Sequence, residues 1–292
     1  MKPVRTILAA VALASLTAWA QTTPKHVEIF GQKIQYIEAG SGPNVILLHG
    51  LGGDSSNWAL TIPALATKYH VWAPDQIGFG ASDKPMINYR VGTLVDFLEK
   101  FCKTEGIDKA IVVGNSLGGW TAIDFALAHP ERVEKLVLVD SAGYSLDAQG
   151  GVRPTRQTLS TLNPSTLAGA KAVASVIFAN PAYATDATAE MLFTQHMRKN
   201  DGYTIDQFID SVLRGDDVVD GKLGGIKAPT MVVWGREDHL IPLPLGERLH
   251  KEIAGSQMVV LDHCGHVPQL ECAGPFNKAL ATFITGAESA AR

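Results

Sequence analysis

Three residues of this sequence have the types that nucleophilic catalysis needs: a serine, an acid and a histidine, far apart in the chain and each in a glycine-punctuated segment. Ser116 lies in Gly114-Asn115-Ser116-Leu117-Gly118-Gly119. A serine hydroxyl is a weak nucleophile until a base removes its proton, and that base needs a group to fix its tautomer and stabilise its charge. Asp238, in Gly235-Arg236-Glu237-Asp238, and His266, in Asp262-His263-Cys264-Gly265-His266, follow the serine in chain order. His263 competes with His266 as base, and Asp140 and Glu237 compete with Asp238 as acid. His239 reads as a solvated neighbour of Asp238.

The elements that must position these groups are visible in the pattern around them. Ala110 to Val113 is a short, β-branched apolar run of the kind expected of a buried parallel strand. Trp120, Ile123, Phe125, Ala126 and Ala128 follow in a helix-length segment that stops at His129-Pro130. Ser116 is therefore expected on a sharp strand-to-helix turn, with glycines where the backbones crowd. Met231 to Trp234 and Val259 to Leu261 are strand-like and place Asp238 and His266 beyond strand carboxyl ends, where ligands gather in parallel sheets. Negative charge developing on a carbonyl oxygen needs fixed donors. The Leu117 N–H at the helix start and the Leu51 N–H in His49-Gly50-Leu51-Gly52-Gly53 are the two candidates. His49 reads as a structural hydrogen-bonding residue and Asp75 as the organiser of the turn from Asp75 to Ser82.

Elsewhere, Val27 to Phe30 and Lys33 to Ile37 predict a hairpin turning at Gly31-Gln32. Strand-like runs at Val45 to Leu48, Val71 to Ala73, Val133 to Val139 and Gln257 to Leu261 alternate with helical stretches. The latter are Trp58 to Tyr69, Val91 to Lys103, Gly246 to Ile253 and Phe276 to Ile284. That order predicts an α/β fold with a mostly parallel central sheet covered by helices on both faces. Between Ala142 and Lys222 the β-branched runs stop, and amphipathic pieces at Leu167 to Phe178, Ala189 to Met197 and Ile205 to Leu213 predict an inserted helical cap. The domain reading is a core of residues 21–141 and 223–292 with a cap over 142–222. A pocket between sheet and cap would be lined by Asn115, Trp58, Phe178, Met191, Leu192 and Phe193, side chains whose spacing equally fits packing within the cap.

Lys2 and Arg5, an apolar stretch from Ile7 to Leu16, and Ala18-Trp19-Ala20 predict a secretory leader over residues 1–20, cut after Ala20, and hence a secreted or periplasmic protein. The apolar run is shorter than a bilayer span, so stable membrane insertion after cleavage is not expected. Removing the leader moves the formal charge from −4 to −6, which argues against a nucleic-acid partner. With three cysteines, Cys102, Cys264 and Cys272, buried thiols are the default expectation, and a Cys264–Cys272 bridge is the pairing closest in sequence. Cys and His spacings fit no zinc pattern, no phosphate-cradling loop is present, and no metal or organic cofactor is expected.

Taken together, the His49-Gly50 turn, Asp75 to Ser82, the Ser116 turn, Gly235 to Asp238 and Gly265-His266 resemble the α/β-hydrolase superfamily over nearly the whole chain. The resemblance implies Ser116 as nucleophile, His266 as proton shuttle, Asp238 as orienting acid, and an oxyanion hole from Leu51 and Leu117. Serine at the turn differs from the aspartate nucleophile of related dehalogenases and epoxide hydrolases. A carboxylesterase acting on a small-molecule ester is therefore the first expectation. Asn115 and Cys264-Gly265-His266 also resemble microbial C–C bond hydrolases that cleave ring-fission diketones, although this chain has Leu51-Gly52-Gly53 and Val267 where those typically have Gly-Pro-Gly and tryptophan. Arg198 is the uncertain counterpart of their cap arginine. A non-catalytic ligand-binding protein on the same fold, and a cofactor-free perhydrolase, are the other readings.

Overall fold

Every residue of the strand leading to Ser116 is buried, because its side chains alternate between two separate apolar layers. Ala110 and Val112 face one layer and Ile111 and Val113 the other. A strand covered on both sides has no polar face, which is why the sequence shows a continuous apolar run. The computed structural model describes residues 23–147 and 154–286. The expected leader, and residues 148–153 of the expected cap, lie outside them.

Eight strands form one sheet: β1 Lys25–Ile29, β2 Gln32–Ala39, β3 Asn44–Leu48, β4 His70–Pro74, β5 Ala110–Asn115, β6 Val133–Val139, β7 Thr230–Gly235 and β8 Gln257–Leu261, in the spatial order 1-2-4-3-5-6-7-8. The β1–β2 hairpin and the β2–β4 pair are antiparallel, and all other pairs are parallel. Phe30 and Gly31, both at positive φ, make the hairpin turn. The helices are α1 Ile62–Leu65, α2 Val91–Thr104, α3 Leu117–Ala128, α4 Arg156–Leu159, α5 Leu167–Ile177, α6 Asp186–Lys199, α7 Gly202–Arg214, α8 Leu243–Glu252, α9 Pro268–Glu271 and α10 Ala273–Thr285. Buried residues of α2, α3 and α8 join the layer on one face, and those of α1 and α10 join the other.

The connection from β4 through α2 carries the chain past β3 to β5, so the direction of strand addition reverses between β3 and β5. Ligands bind at such switch points, outside the strands' carboxyl ends. Leu48 pairs with Gly114, so the Leu51 loop and the Ser116 turn emerge side by side. Helices α4 to α7 lie between β6 and β7, where the sequence predicts the cap. The one element that differs in kind is the helix expected over Trp58 to Tyr69. Only a 3₁₀ turn, Ser55–Trp58, and the single turn α1 form there. The apolar spacing of Trp58, Ile62 and Leu65 reflects burial along an irregular path rather than one helix face.

The turn at Ser116 depends on two glycines. A Cβ on Gly114 would sit 2.1 Å from the Gly118 carbonyl oxygen, and one on Gly118 would sit 2.3 Å from that of Leu48. These contacts are with backbone and cannot be relieved by a side-chain rotation. Gly118→Ala is expected to cost about 3 kcal/mol by overpacking β3 against α3, lowering the thermal midpoint by roughly 5–10 °C. Calorimetry of the variant and parent checks this.

Candidate active site

Ser116 occupies φ 55°, ψ −118° between β5 and α3. Positive φ is unfavourable for a residue bearing a Cβ, so the surroundings must hold it there. They do so through the backbone: Ser116 N–H donates to Val139 O at 3.0 Å, and its carbonyl accepts from the N–H groups of Trp120 and Ala142, each at 3.1 Å. The side chain is thereby turned toward the Gly50 loop, where a Cβ on Gly50 would lie 3.1 Å from that of Ser116.

His266 and Asp238 meet beside it. The ring Nδ1–H of His266 donates to Asp238 Oδ2 at 2.7 Å, and both groups are buried. The other carboxylate oxygen of Asp238 accepts the N–H groups of Leu240 and Ile241 at 2.8 and 2.9 Å, so the acid is aimed from its own turn. His266 is fixed at its backbone as well. Its N–H donates to Ile177 O at 2.8 Å, at the end of α5, and its carbonyl accepts from Asn115 Nδ2 at 3.0 Å. Nε2 of His266 is buried without a protein partner among the described residues, and the Ser116 hydroxyl does not bond to it. Bonds of this kind are often long before substrate arrives. With Nδ1–H donating to a carboxylate, the free Nε2 is the basic ring atom.

None of the competing candidates takes the place of His266 or Asp238 in that bond. His263 and His239 are exposed. Glu237 uses its carboxylate on the N–H of Cys264 at 3.0 Å, and Asp140 accepts from the N–H of Gly235 at 2.9 Å. His49 is fully buried with both ring nitrogens engaged: Nδ1–H donates to Gly50 O at 2.8 Å and Nε2 accepts from Gln76 N–H at 3.0 Å. Burial pushes its pKa down, so it stays neutral and shapes the loop. Asp75 accepts from the N–H groups of Ser55 and Ala81, each at 2.8 Å, organising the turn as expected. Among the described residues, neither the Leu51 N–H nor the Leu117 N–H donates to a protein acceptor. Leu51 lies on the Gly50 loop, and Leu117 opens α3 directly after Ser116.

The pocket residues read from sequence fall in different settings. Trp58 is fully buried in the layer beneath the sheet, against Phe276. Asn115 spends its side-chain amide on protein partners rather than on a pocket. It donates to Val139 O and His266 O and accepts from Gln269 Nε2 at 3.1 Å. Met191 is exposed, whereas Leu192, Phe193 and Phe178 are half-buried, with the Phe178 ring tilted against that of Tyr183. Arg198 is also exposed. Cys264 and Cys272 form a disulfide in place of the expected buried thiols, while Cys102 is a buried free thiol.

Other residues were not signalled by any motif. Glu271 accepts from the N–H of Gly265 at 2.7 Å and from Asn180 N–H at 2.7 Å, tying the His266 loop to the chain beyond α5. Lys199, at the end of α6, donates to Gly52 O and pairs with Asp54, both at 2.9 Å. The inserted helices thus hold the loops on both sides of Ser116.

Residues 43–273 match the family described as alpha/beta hydrolase fold. The chain is an α/β-hydrolase. The hydrolase is 32% identical over 276 residues to 2-hydroxy-6-oxo-6-(2'-aminophenyl)hexa-2,4-dienoic acid hydrolase of Metapseudomonas resinovorans, a match covering 89% of this chain and 90% of that protein. Among solved structures, a meta-cleavage product hydrolase of Pseudomonas fluorescens IP01 superposes with a TM-score of 0.80 at 29% identity, covering 90% of the hydrolase and 98% of that chain. A membrane phospholipase A gives the same TM-score, 0.80, at 26% identity, covering 98% and 93%. No helix among the described residues of the hydrolase is long and apolar enough to cross a membrane.

Asp238→Asn would present an amide to Nδ1 and favour the wrong tautomer. A fall in kcat of about 10³–10⁴ with little change in KM is expected. Steady-state kinetics on any substrate turned over by the parent measure it.

Proposed function

We propose that Ser116 attacks a substrate carbonyl, that His266 takes the hydroxyl proton at Nε2, and that Asp238 stabilises the resulting imidazolium. The oxyanion then forms between the N–H groups of Leu51 and Leu117, donors that have no acceptor to give up among the described residues. When the intermediate collapses, a bond from the carbonyl carbon breaks, leaving an acyl group on Ser116. The proton on His266 goes to the departing fragment. Water activated by the same imidazole releases the acid.

For the substrate, the proposed reading is a C–C bond hydrolase acting on ring-fission diketones. One observation carries it: the match to a dienoic acid hydrolase extends over about nine-tenths of both proteins. This reverses the order drawn from sequence, in which the ester came first. The chemistry suits the same residues. Carbon is a poor leaving group unless its electron pair is delocalised, and a vinylogous diketone spreads that pair onto the distal keto group.

Ester hydrolysis is the second reading. The exposed Arg198 favours it, since the cap arginine expected by resemblance is not sequestered in the site. The likeness to a membrane phospholipase A also supports it, as does the Cys264–Cys272 bridge, because disulfides persist in oxidising compartments and fit an exported protein.

A panel of ring-fission dienones and p-nitrophenyl esters separates the two. The first reading expects kcat/KM on the best dienone to exceed that on the best ester by about tenfold or more, a transition-state difference near 1.4 kcal/mol. Dienones left intact while esters turn over would establish the second. Ser116→Ala is expected to abolish whichever activity is found.

A further inference from the structure

Asp140 is a buried acid that the proposed mechanism does not use. It follows β6 at φ 43°, a left-handed conformation unfavourable for a residue with a Cβ, and is fully buried. Its Oδ1 accepts the Gly235 N–H, but Oδ2 is buried with no hydrogen-bond partner among the described residues. A carboxylate oxygen of Asp140, one of Asp238 and a ring nitrogen of His266 all lie within 4.8 Å of one another. The charges that weigh most on Asp140 are Asp238, on the loop after β7, and Glu271, on α9, and both are negative. His266, on the loop after β8, is the remaining titratable member of the cluster.

Two carboxylates this close in a dry site cannot both be held as anions. Asp238 already accepts three N–H donors, from His266, Leu240 and Ile241, whereas Asp140 accepts one, from Gly235. The proton therefore belongs on Asp140, where it also gives the orphaned Oδ2 a role as donor.

We propose that Asp140 is a neutral carboxylic acid whose Oδ2–H donates to the Asp238 carboxylate, making it a positioning residue for the Asp238–His266 pair. Burial, and then the negative charge of Asp238, push its carboxyl well above the usual carboxylate range. The proposal rests on Asp238 being the orienting acid, and its tests include readouts that need no turnover.

Asp140→Asn keeps the shape, accepts from Gly235 and donates to Asp238 through its amide. Asp140→Ala has no donor. Loss of a hydrogen bond to a charged group is expected to lower kcat of the alanine variant about tenfold or more with KM little changed, and the asparagine variant recovers most of it. Because Asn replaces a neutral acid, the acid limb of the pH dependence of kcat/KM stays in place. Were Asp140 anionic, Asp140→Asn would instead remove a negative charge from the cluster and move that limb to lower pH. Independently of activity, infrared spectra at about pH 8 are expected to show a carboxylic-acid carbonyl band that Asp140→Asn removes.

Stability gives a further readout. The folded protein keeps a proton that the unfolded chain releases above the ordinary Asp pKa, so raising pH favours unfolding of the parent through this group. The thermal midpoint of Asp140→Asn minus that of the parent is expected to grow from about pH 5 to about pH 8. An asparagine variant as impaired as alanine, a displaced acid limb, a missing carbonyl band or a constant midpoint difference would each overturn the proposal. If no substrate is found, the infrared and stability measurements still decide it, while failure of the Asp238 mechanism would show separately in Asp238→Asn.

Discussion

The constraint on which the site depends is the crowding of three backbones around one strained residue. Ser116 can hold φ 55° only because β5, the start of α3 and the Gly50 loop leave it no alternative, and its main-chain groups are bonded on both sides to β6 and α3. Strain of this kind costs on the order of 1–3 kcal/mol and persists where the surroundings over-determine it. The parallel pairing of β3 with β5 and β5 with β6 supplies that frame. It also brings His49, Ser116 and Asp140 out at one sheet edge.

Around that frame, the groups of the relay are held by neighbours from different parts of the chain. Asn115, one residue from the serine, bonds the backbone of His266, and Gln269 bonds Asn115 in turn. Ile177 O receives the His266 N–H from the inserted helices, and Glu271 bonds both the histidine loop and the chain beyond α5. On the opposite side Lys199 holds Gly52 and Asp54 beside Leu51. The half-buried Lys199–Asp54 pair is worth more to geometry than to stability, since much of its attraction is offset by desolvation. Displacing the inserted helices would disturb both the base and one proposed oxyanion donor.

Much of this was legible in the sequence because strands buried on both faces leave continuous β-branched runs, and β6 coincides with its run. The serine turn was legible from its glycines. What spacing could not supply was direction. Asn115 adjoins Ser116 in sequence, but its amide is taken up by Val139, His266 and Gln269. Trp58 follows the Leu51 loop and still belongs to the layer beneath the sheet. In the insertion, Met191 and Phe193 satisfy the same helical period whether they face pocket, core or solvent. Asp140 and Asp238 both end strands, and only the bond to Nδ1 separates them. Cys272 reaches Cys264 because the single turn α9 doubles the chain back, which no residue pattern announces.

Catalysis by such a site requires that one hydroxyl among the many serines of the chain be singled out by its surroundings: a free imidazole nitrogen on one side and two unoccupied N–H groups on the other. The most direct measurement is mass spectrometry of the folded protein after brief exposure to a fluorophosphonate, with peptide mapping of the adduct. A single phosphonyl group on Ser116, prevented by prior heat denaturation, is the expected result. A folded sample in which Ser116 stays unmodified, or in which other serines react as readily, would contradict the account.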